Sequence, residues 1–483
     1  MAINPGTNLN SVPSARKQTL DSNYLDLASA SNAGWSQQYV PDLMEKEAEV
    51  FGPRTISGFL SQVGAEEAMT ADQVIWSEQG RLHLSYTGKM ATATTFLVQK
   101  DIDGETVDAG DHGVRVNDTI ILADANAVTK CLVVSISGST LTIATYDDSD
   151  ITALNTDNTT TCLVYGSEFG KGKTYGNATA GAADDRGANE PSFKTFSNKP
   201  IIMKDYYEVS GSDASRIGWV EVAAEDGQSG YLWYLKAEAD TRARFTDYIE
   251  MAMLEAINGN TSGEADTEIN GAGNAFGTEG LFAAIEDRGN ITTGVTGVNA
   301  ATDLAEFDAI LAEFDKQGAI EENMLFLNRA SSLAIDDMLA SMNSYGAGGT
   351  SYGVFDNDED MALNLGFSGF RRGSYDFYKS DFRYLNDQAT RGGINAANSS
   401  EAIRGVIIPA GTSTVYDQQL GKNLKRPFLH VRYRASQTDD RRMKTWVTGS
   451  VGAATSALDA MQLHMLTERC LVTQGANNFM LMK

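Results

Sequence analysis

The alternation of apolar and polar positions changes character several times along the chain. Residues 1–57 show no period: Pro5, Pro13, Pro41 and Pro53 interrupt a polar, small-residue stretch. Proline fixes φ and removes a backbone donor, so this segment reads as an arm, with one short amphipathic helix over 42–51. Over 74–86 a period of two sets in, Leu82, Leu84 and Tyr86 alternating with Arg81, His83 and Ser85 as on a half-buried strand. Residues 96–165 then carry short β-branched runs at 120–122, 131–136, 141–143 and 162–164, joined by turns such as Ser137-Gly138-Ser139. That spacing predicts a small antiparallel barrel or sandwich, inserted between segments that resemble each other more than they resemble it. Loop composition fills 166–200, and strand-like runs return at 201–209 and 217–222.

The strongest helical pattern covers 229–257. Leu232, Leu235, Ala239, Phe245, Ile249, Met253 and Ala256 mark one face, with Arg242 as the exception, and Glu238–Arg242 and Asp240–Arg244 are i,i+4 pairs in the favourable orientation. Such a helix would run roughly 45 Å, a spine for its domain. A Gly/Asn/Thr-rich stretch over 258–300 surrounds an apolar piece at 281–285. Asp303 and Glu306 have capping-box spacing, Leu304, Phe307, Leu311 and Phe314 keep a helical stripe, and Gly318 supplies the stop. A buried strand at 324–327, a helix over 332–342, a loop over 343–360 and a strand at 403–408 complete an α/β unit. Leu429, Val431 and Tyr433 alternate, and runs at 441–447, 463–472 and 479–481 predict strands and a short helix returning to an earlier core. The expected class is α+β, with no internal repeat of fixed period.

Charge narrows the function. The 483 residues hold 38 Lys+Arg against 64 Asp+Glu, a formal net charge of −26, which excludes a whole-chain nucleic-acid binder that works by neutralising phosphates. With 42% hydrophobic and 21% charged residues the acidity is not that of a disordered tail, and the length suggests two to four domains. Cys131, Cys162 and Cys470 are too few and too scattered for a disulfide framework, which points to a reducing compartment. The first residues lack the apolar core of a signal peptide and no run of 18 apolar residues occurs, so a protein made and used in solution, or in a soluble assembly, is expected.

No motif carries chemistry. His83, His112, His430 and His464 lie in separate segments, outside any metal-binding spacing. Gly366–Phe370 lacks nucleophile-elbow spacing. Gly172-Lys173-Thr174 ends like a phosphate loop, but Ser167 stands where its first glycine belongs. Gly271–Gly277 misses the dinucleotide spacing by one residue. Asp356, Asp358 and Asp360 alternate like calcium ligands, but Met361 and Phe367 replace the required Gly and Glu. The expectation is a protein that is not an enzyme, with no catalytic, cofactor-binding or metal residues.

The order of parts resembles the major capsid proteins of tailed double-stranded DNA bacteriophages, a fold shared with herpesvirus capsid floors. WSQQYVPDLMEKEAEVFGPRTISGFLSQVG (35–64) looks like that family's arm, and NAFGTEGLFAAIEDRGN (274–290) like the segment after its spine helix. MLFLNRASSLAIDDMLASM (324–342) is similar to the strand and helix of the axial domain, and LTERCLVTQGANNFMLM (466–482) to the closing strands of the peripheral domain. The resemblance implies an N-terminal arm at 1–57, strands of an extended loop at 58–95 and 166–222, and an inserted small β domain at 96–165. It further implies a spine helix and peripheral domain at 223–260, an axial α/β domain at 261–425, and C-terminal strands at 426–483 returning to the peripheral domain.

By the same resemblance the chain is a virion structural protein that self-assembles into an icosahedral shell around packaged double-stranded DNA. Its partners would be itself, as pentamers and hexamers, and portal, scaffold or decoration proteins, with no membrane partner. It would be built in the bacterial host cytoplasm and reside in the virion capsid. A tail sheath or tail tube protein and a non-viral shell-forming protein are the alternatives. Lys171, Lys173, Lys194 and Lys199 lie in the loop that some family members cross-link, without a position that matches. Arg16, Lys17, Arg242 and Arg244 are expected at contacts that offset the acidity.

Overall fold

The computed structural model describes residues 65–78, 83–102, 104–108, 110–147, 154, 159–172, 194–212, 222–223, 229–230, 232–259, 268, 277–318, 320–342, 369–410, 412–417, 422–451 and 455–483. The expected arm, its helix over 42–51, and Arg16 and Lys17 lie outside the described residues. Ser77–Phe196 forms one compact unit; the chain up to Trp76 together with Ser197–Lys483 forms the other.

β1 (Ala65–Met69) and β2 (Val74–Glu78) precede the smaller unit. Its strands β3 (Ser85–Thr92), β4 (Thr95–Asp101), β5 (Asp118–Ala123), β6 (Val128–Ser137), β7 (Thr140–Thr145) and β8 (Thr160–Ser167) close into a barrel in the order β3-β4-β7-β6-β5-β8. Period-two patterning puts Phe96, Val98, Ile120, Leu122, Cys131, Val133, Leu141, Ile143 and Cys162 inside, all buried. Of the two architectures left open by the sequence, the barrel is the one formed. It starts at Ser85 rather than 96, because β3 pairs with both β4 and β8 to shut the cylinder. Closure needs a close crossing at Gly88, where a Cβ would stand 2.0 Å from the Leu97 carbonyl oxygen, and register shifts there and at Val133/Ser135 supply the bends.

β9 (Lys194–Asn198) pairs with β2, and β10 (Ile201–Ser210) follows. β11 (Val222–Ala223) and β12 (Ser229–Gly230) make a two-residue ribbon. α1 (Leu232–Glu255) has 24 residues, about 36 Å at 1.5 Å per residue, shorter than the patterned segment. Thr241, Phe245, Ile249 and Met253 form its buried i,i+4 stripe, with Glu250 and Leu254 beside it. Ala239, expected on that face, is exposed, and the side chains of Leu232 and Leu235 lie outside the description. Phe245 and Ile249 pack on Met203 of β10 and on Met465.

α2 (Leu281–Arg288), β13 (Asn290–Thr292), α3 (Ala300–Gln317), β14 (Glu322–Leu327), α4 (Arg329–Met342), β15 (Gly369–Arg372), β16 (Tyr375–Asp381), α5 (Arg391–Ala397) and β17 (Gly405–Pro409) come next. α3 begins one turn earlier than the Asp303/Glu306 spacing suggests. Asn299 caps it, accepting from the Thr302 amide, and Gly318 at φ 66° ends it. Asp303 and Glu306 instead reach back to the preceding loop, accepting from the amides of Gly297 (2.8 Å) and Thr296 (2.7 Å). A hairpin of β18 (Thr412–Asp417) and β19 (Lys422–Pro427) leads to β20 (Leu429–Arg434), β21 (Lys444–Gly449), β22 (Ala460–Thr473) and β23 (Met480–Met482).

Two sheets result. In the five-stranded one, β22 pairs with β10 along one edge and with β21 and then β20 along the other, and β1 lies parallel to β20 outside it. The six-stranded one runs β13-β23-β17-β14-β16-β15. α3 and α4 cover it through Phe307, Ile310, Phe314, Ile335, Met338 and Leu339, and Phe307 meets Phe370 and Phe377 at 5.5 and 5.1 Å. A second core joins the sheets, Leu429, Val431 and Leu471 packing with Phe326, Val406, Ile408 and Leu481 around α2. The last strand departs from the expected layout of 426–483. Met480, Leu481 and Met482 are all buried, and a strand apolar on both faces needs neighbours on both edges. It finds them between β13 and β17, in the sheet of the α/β unit, while β20 and β21 pair with β22, and β22 with β10.

Candidate assembly surfaces

The histidines fall in four unrelated places. His112, buried in the barrel unit, shares a 2.9 Å hydrogen bond from Nε2 with the Gly138 carbonyl and lies edge-on to Tyr86. Buried His430 places Nδ1 3.3 Å from the Pro427 carbonyl, His464 pairs Nε2 with Thr448 Oγ1 at 2.7 Å, and His83 is exposed. Among the described residues no three His, Cys, Asp or Glu side chains are grouped to hold a metal ion. Lys173-Thr174, residues 271–276 and the acidic residues at 356, 358 and 360 lie outside the described residues. Gly369 and Phe370 begin β15, a strand and not a nucleophile elbow. The three cysteines are free and buried, and burial pushes the thiols of Cys131, Cys162 and Cys470 up to about 11, 12 and 12, far from the range of a reactive thiolate. Among the described residues no helix is long and apolar enough to cross a membrane.

Charged groups gather instead at one edge of the five-stranded sheet. On one face Arg432 meets Glu67 at 2.8 Å, while Arg434 and Arg441 each approach Glu468 at 3.1 Å. On the other, Arg469 Nη1 lies 3.4 Å from Glu66, which Arg442 also contacts. Arg434 further contacts Asp72. The Glu468 and Arg469 side chains are only 5% and 7% exposed, so each needs its partners to offset lost hydration. Burial lowers the Arg469 pKa, opposed by Glu66 and reinforced by Arg442. The hydrogen bonds from Arg434 to Asp72 and Glu468 raise its pKa. On α1, Arg242 bonds to Glu238 at 2.9 Å as the spacing predicts, whereas Arg244 turns to Asp205 on β10 at 3.4 Å.

A second polar junction locks the chain where β9 ends. Asn198, 1% exposed, donates from Nδ2 to the carbonyls of Leu471 (2.6 Å) and Glu279 (3.0 Å) and accepts at Oδ1 from the amides of Glu279 and Lys199, both at 2.8 Å. Glu279 in turn holds Arg288 with two 2.9 Å hydrogen bonds, and the guanidinium lies 6.0 Å from the ring centre of Trp76. Sequence reasoning passed over Asn198, because a single asparagine between strand-like runs carries no signature of its distant partners.

Exposed apolar groups mark two further faces. On the five-stranded sheet, register places Tyr206, His464 and Trp446 side by side on β10, β22 and β21. Their rings stack at 6.0 and 5.2 Å, and Tyr206 and Trp446 are 57% and 37% exposed. On the barrel unit Val128, Leu163 and Tyr165 face outward, and Tyr146 donates to Glu168 at 2.5 Å. Of the loop lysines, Lys171 and Lys199 are exposed; Lys173 and the Lys194 side chain lie outside the description. These surfaces are suited to contact.

No protein-family model matches the chain, and no curated protein matches it either. The solved structures to which it is similar include phage structures, capsids among them. A chain of Microbacterium phage Oxtober96 shares 10% identity over 95% of this chain and 99% of that one, at a TM-score of 0.37. The asymmetric unit of the bacteriophage PhiM1 mature capsid shares 10% over 64% and 78%, at 0.34. The satellite phage P4 procapsid including size determination (Sid) protein shares 10% over 65% and 81%, at 0.30. At these identities and scores the likeness carries no argument, and function has to be read from the chain's own residues.

Proposed function

We propose that the chain is the major capsid protein of a tailed bacteriophage, a structural subunit that self-assembles into a closed shell around packaged double-stranded DNA. The observation that carries this reading is the order in which the folded parts follow one another. A paired stem of β2 and β9 flanks an inserted barrel, β10 forms a long sheet strand, and α1 lies against it. The α/β sheet follows, and the C-terminal strands complete both sheets. That order supports the layout the sequence resemblance implies, except at β23, which joins the α/β sheet instead of returning with β20–β22.

In this reading β2 and β9 belong to the extended loop, the five-stranded sheet with α1 to the peripheral domain, and the six-stranded sheet to the axial domain. Subunits meet themselves in pentamers and hexamers and meet other virion proteins at exposed faces, and the work is done by area and geometry rather than by bond-making chemistry. Obligate contacts of this kind bury roughly 2,000–5,000 Å². The same heterologous contact closes rings of different size when it tolerates small changes in angle. An excess of negative charge on the inner wall keeps packaged DNA from sticking, because like charges repel within a Debye length of about 8 Å.

Negative-stain electron microscopy of the expressed full-length chain tests the proposal. Closed shells or ring-shaped capsomers are expected. Tubes would transfer the protein to the tail sheath or tail tube class, and a stable monomer at high concentration would overturn the shell reading.

A further inference from the structure

β1 is held to its sheet by parallel backbone pairing, by buried Met69 and by a set of ion pairs. Among the described residues it pairs with β20 alone, in parallel, from Ala65 opposite His430 to Met69 opposite Arg434. Of its described side chains only Met69 is buried; Ala68 is exposed, and Glu66 and Glu67 are half-buried. Successive strand residues point to opposite faces, so the two glutamates clamp the sheet edge from both sides. Glu66 meets Arg442 and Arg469 on one face and Glu67 meets Arg432 on the other, while Asp72, just past the strand, meets Arg434. The sheet thus offers five arginines, 432, 434, 441, 442 and 469, facing Glu468 within the sheet and Glu250 on α1. Without β1 that edge carries an excess of positive charge in a chain whose net charge is −26.

Two modes of attachment respond oppositely to salt. Contacts between solvent-accessible charges are screened as the Debye length shrinks from about 10 Å at 0.1 M to about 3 Å at 1 M, whereas apolar burial is not weakened by such screening. Two members of this cluster are open to solvent: the Arg442 side chain is 56% exposed and Asp72 88%. We propose that β1 is a detachable strap, latched by ion pairs, which lifts from β20 as a unit when those pairs are screened and leaves a strand edge flanked by arginines. Ionic strength then sets whether β1 is seated at this sheet edge. The strap operates whether or not the chain forms shells.

Amide hydrogen exchange on the full chain, resolved to short peptides, reads the strap directly. The reporters are residues 65–69 and the Ala435 amide, which donates to the Met69 carbonyl at 3.0 Å; residues 462–466 of β22 are the control. Raising NaCl from about 50 mM to about 1 M is expected to speed exchange at the reporters about tenfold and leave the control unchanged. The double substitution Glu66→Gln, Glu67→Gln should show the fast rate already at low salt. Glu67→Arg alone should do the same, and combining it with Arg432→Glu should restore slow exchange. Reporter rates that ignore salt, or that rise only in step with β22, would overturn the proposal.

Discussion

Lys379 on β16 and Asp336 on α4 form an ion pair whose side chains are only 7% and 10% exposed, and the same ammonium donates to the Ser332 carbonyl at 3.2 Å. The pair pins the helix to the sheet it covers. Removing one partner leaves a charge in a poorly hydrated site, so Lys379→Met should cost about 3–5 kcal/mol, while replacing both with apolar residues should recover most of that loss. Urea denaturation of the single and double variants reads the difference. Equal stability of wild type and Lys379→Met would show that the pair contributes nothing.

Asn198 donates to the Leu471 carbonyl and both donates to and accepts from the Glu279 backbone, tying the end of β9 to β22 and to the start of α2. Asn198→Ala strands several buried backbone groups and should destabilise the larger unit by about 3 kcal/mol. Asn198→Asp is expected to be no better, because it keeps the acceptor and sets a second oxygen against two carbonyls. Thermal unfolding of the two variants checks the order.

The barrel cysteines predict an alkaline weakness. Burial raises Cys131 to about 11 and Cys162 to about 12 from 9.0, so above pH 9 the unfolded chain loses protons that the folded barrel keeps. Stability contributed by the neutral thiols is therefore complete below pH 9 and falls as pH rises toward those values, by about 1.4 kcal/mol per pH unit for each thiol. Denaturation midpoints should drop between pH 9 and 10.5, and Cys131→Val with Cys162→Val should flatten that drop.

If the shell reading holds, deleting residues 1–50 should leave a folded chain that fails to assemble, since a proline-bearing arm buries little by itself and serves its neighbours. Sedimentation velocity separates the outcomes: slow, monodisperse subunits are expected, and normal shells would remove the arm from assembly.

Local patterns in the chain were legible where burial follows a single period. Phe307 and Phe314 with Gly318 gave α3, and the short apolar runs between 120 and 164 gave a small antiparallel barrel or sandwich, because each residue's fate there depends on near neighbours. The start of α3 was misread because Asp303 and Glu306 have capping chemistry but spend it on Thr296 and Gly297 in the preceding loop. The arginine cluster was invisible, since Glu66 and Arg469 are joined only by the parallel seating of β1 beside β20. The place of Met480–Met482 was equally hidden: three apolar residues announce a central strand without saying of which sheet. Asn198 and the Tyr206–His464–Trp446 stack share that origin, in register between strands far apart in sequence.

Closure of the six-stranded barrel has a further consequence, for crowding. An open sheet carries an unpaired backbone edge on which another copy can align, a hazard that grows with local concentration. A cylinder with every strand paired on both sides has no such template. If the shell reading holds, neighbouring barrels can meet only through side chains and loops, so their mutual affinity is set by outward residues such as Val128, Leu163 and Tyr165. Those positions can be rewritten one at a time while Phe96, Leu122 and Leu141 keep the interior filled, which makes the barrel a surface whose stickiness is adjustable separately from its fold.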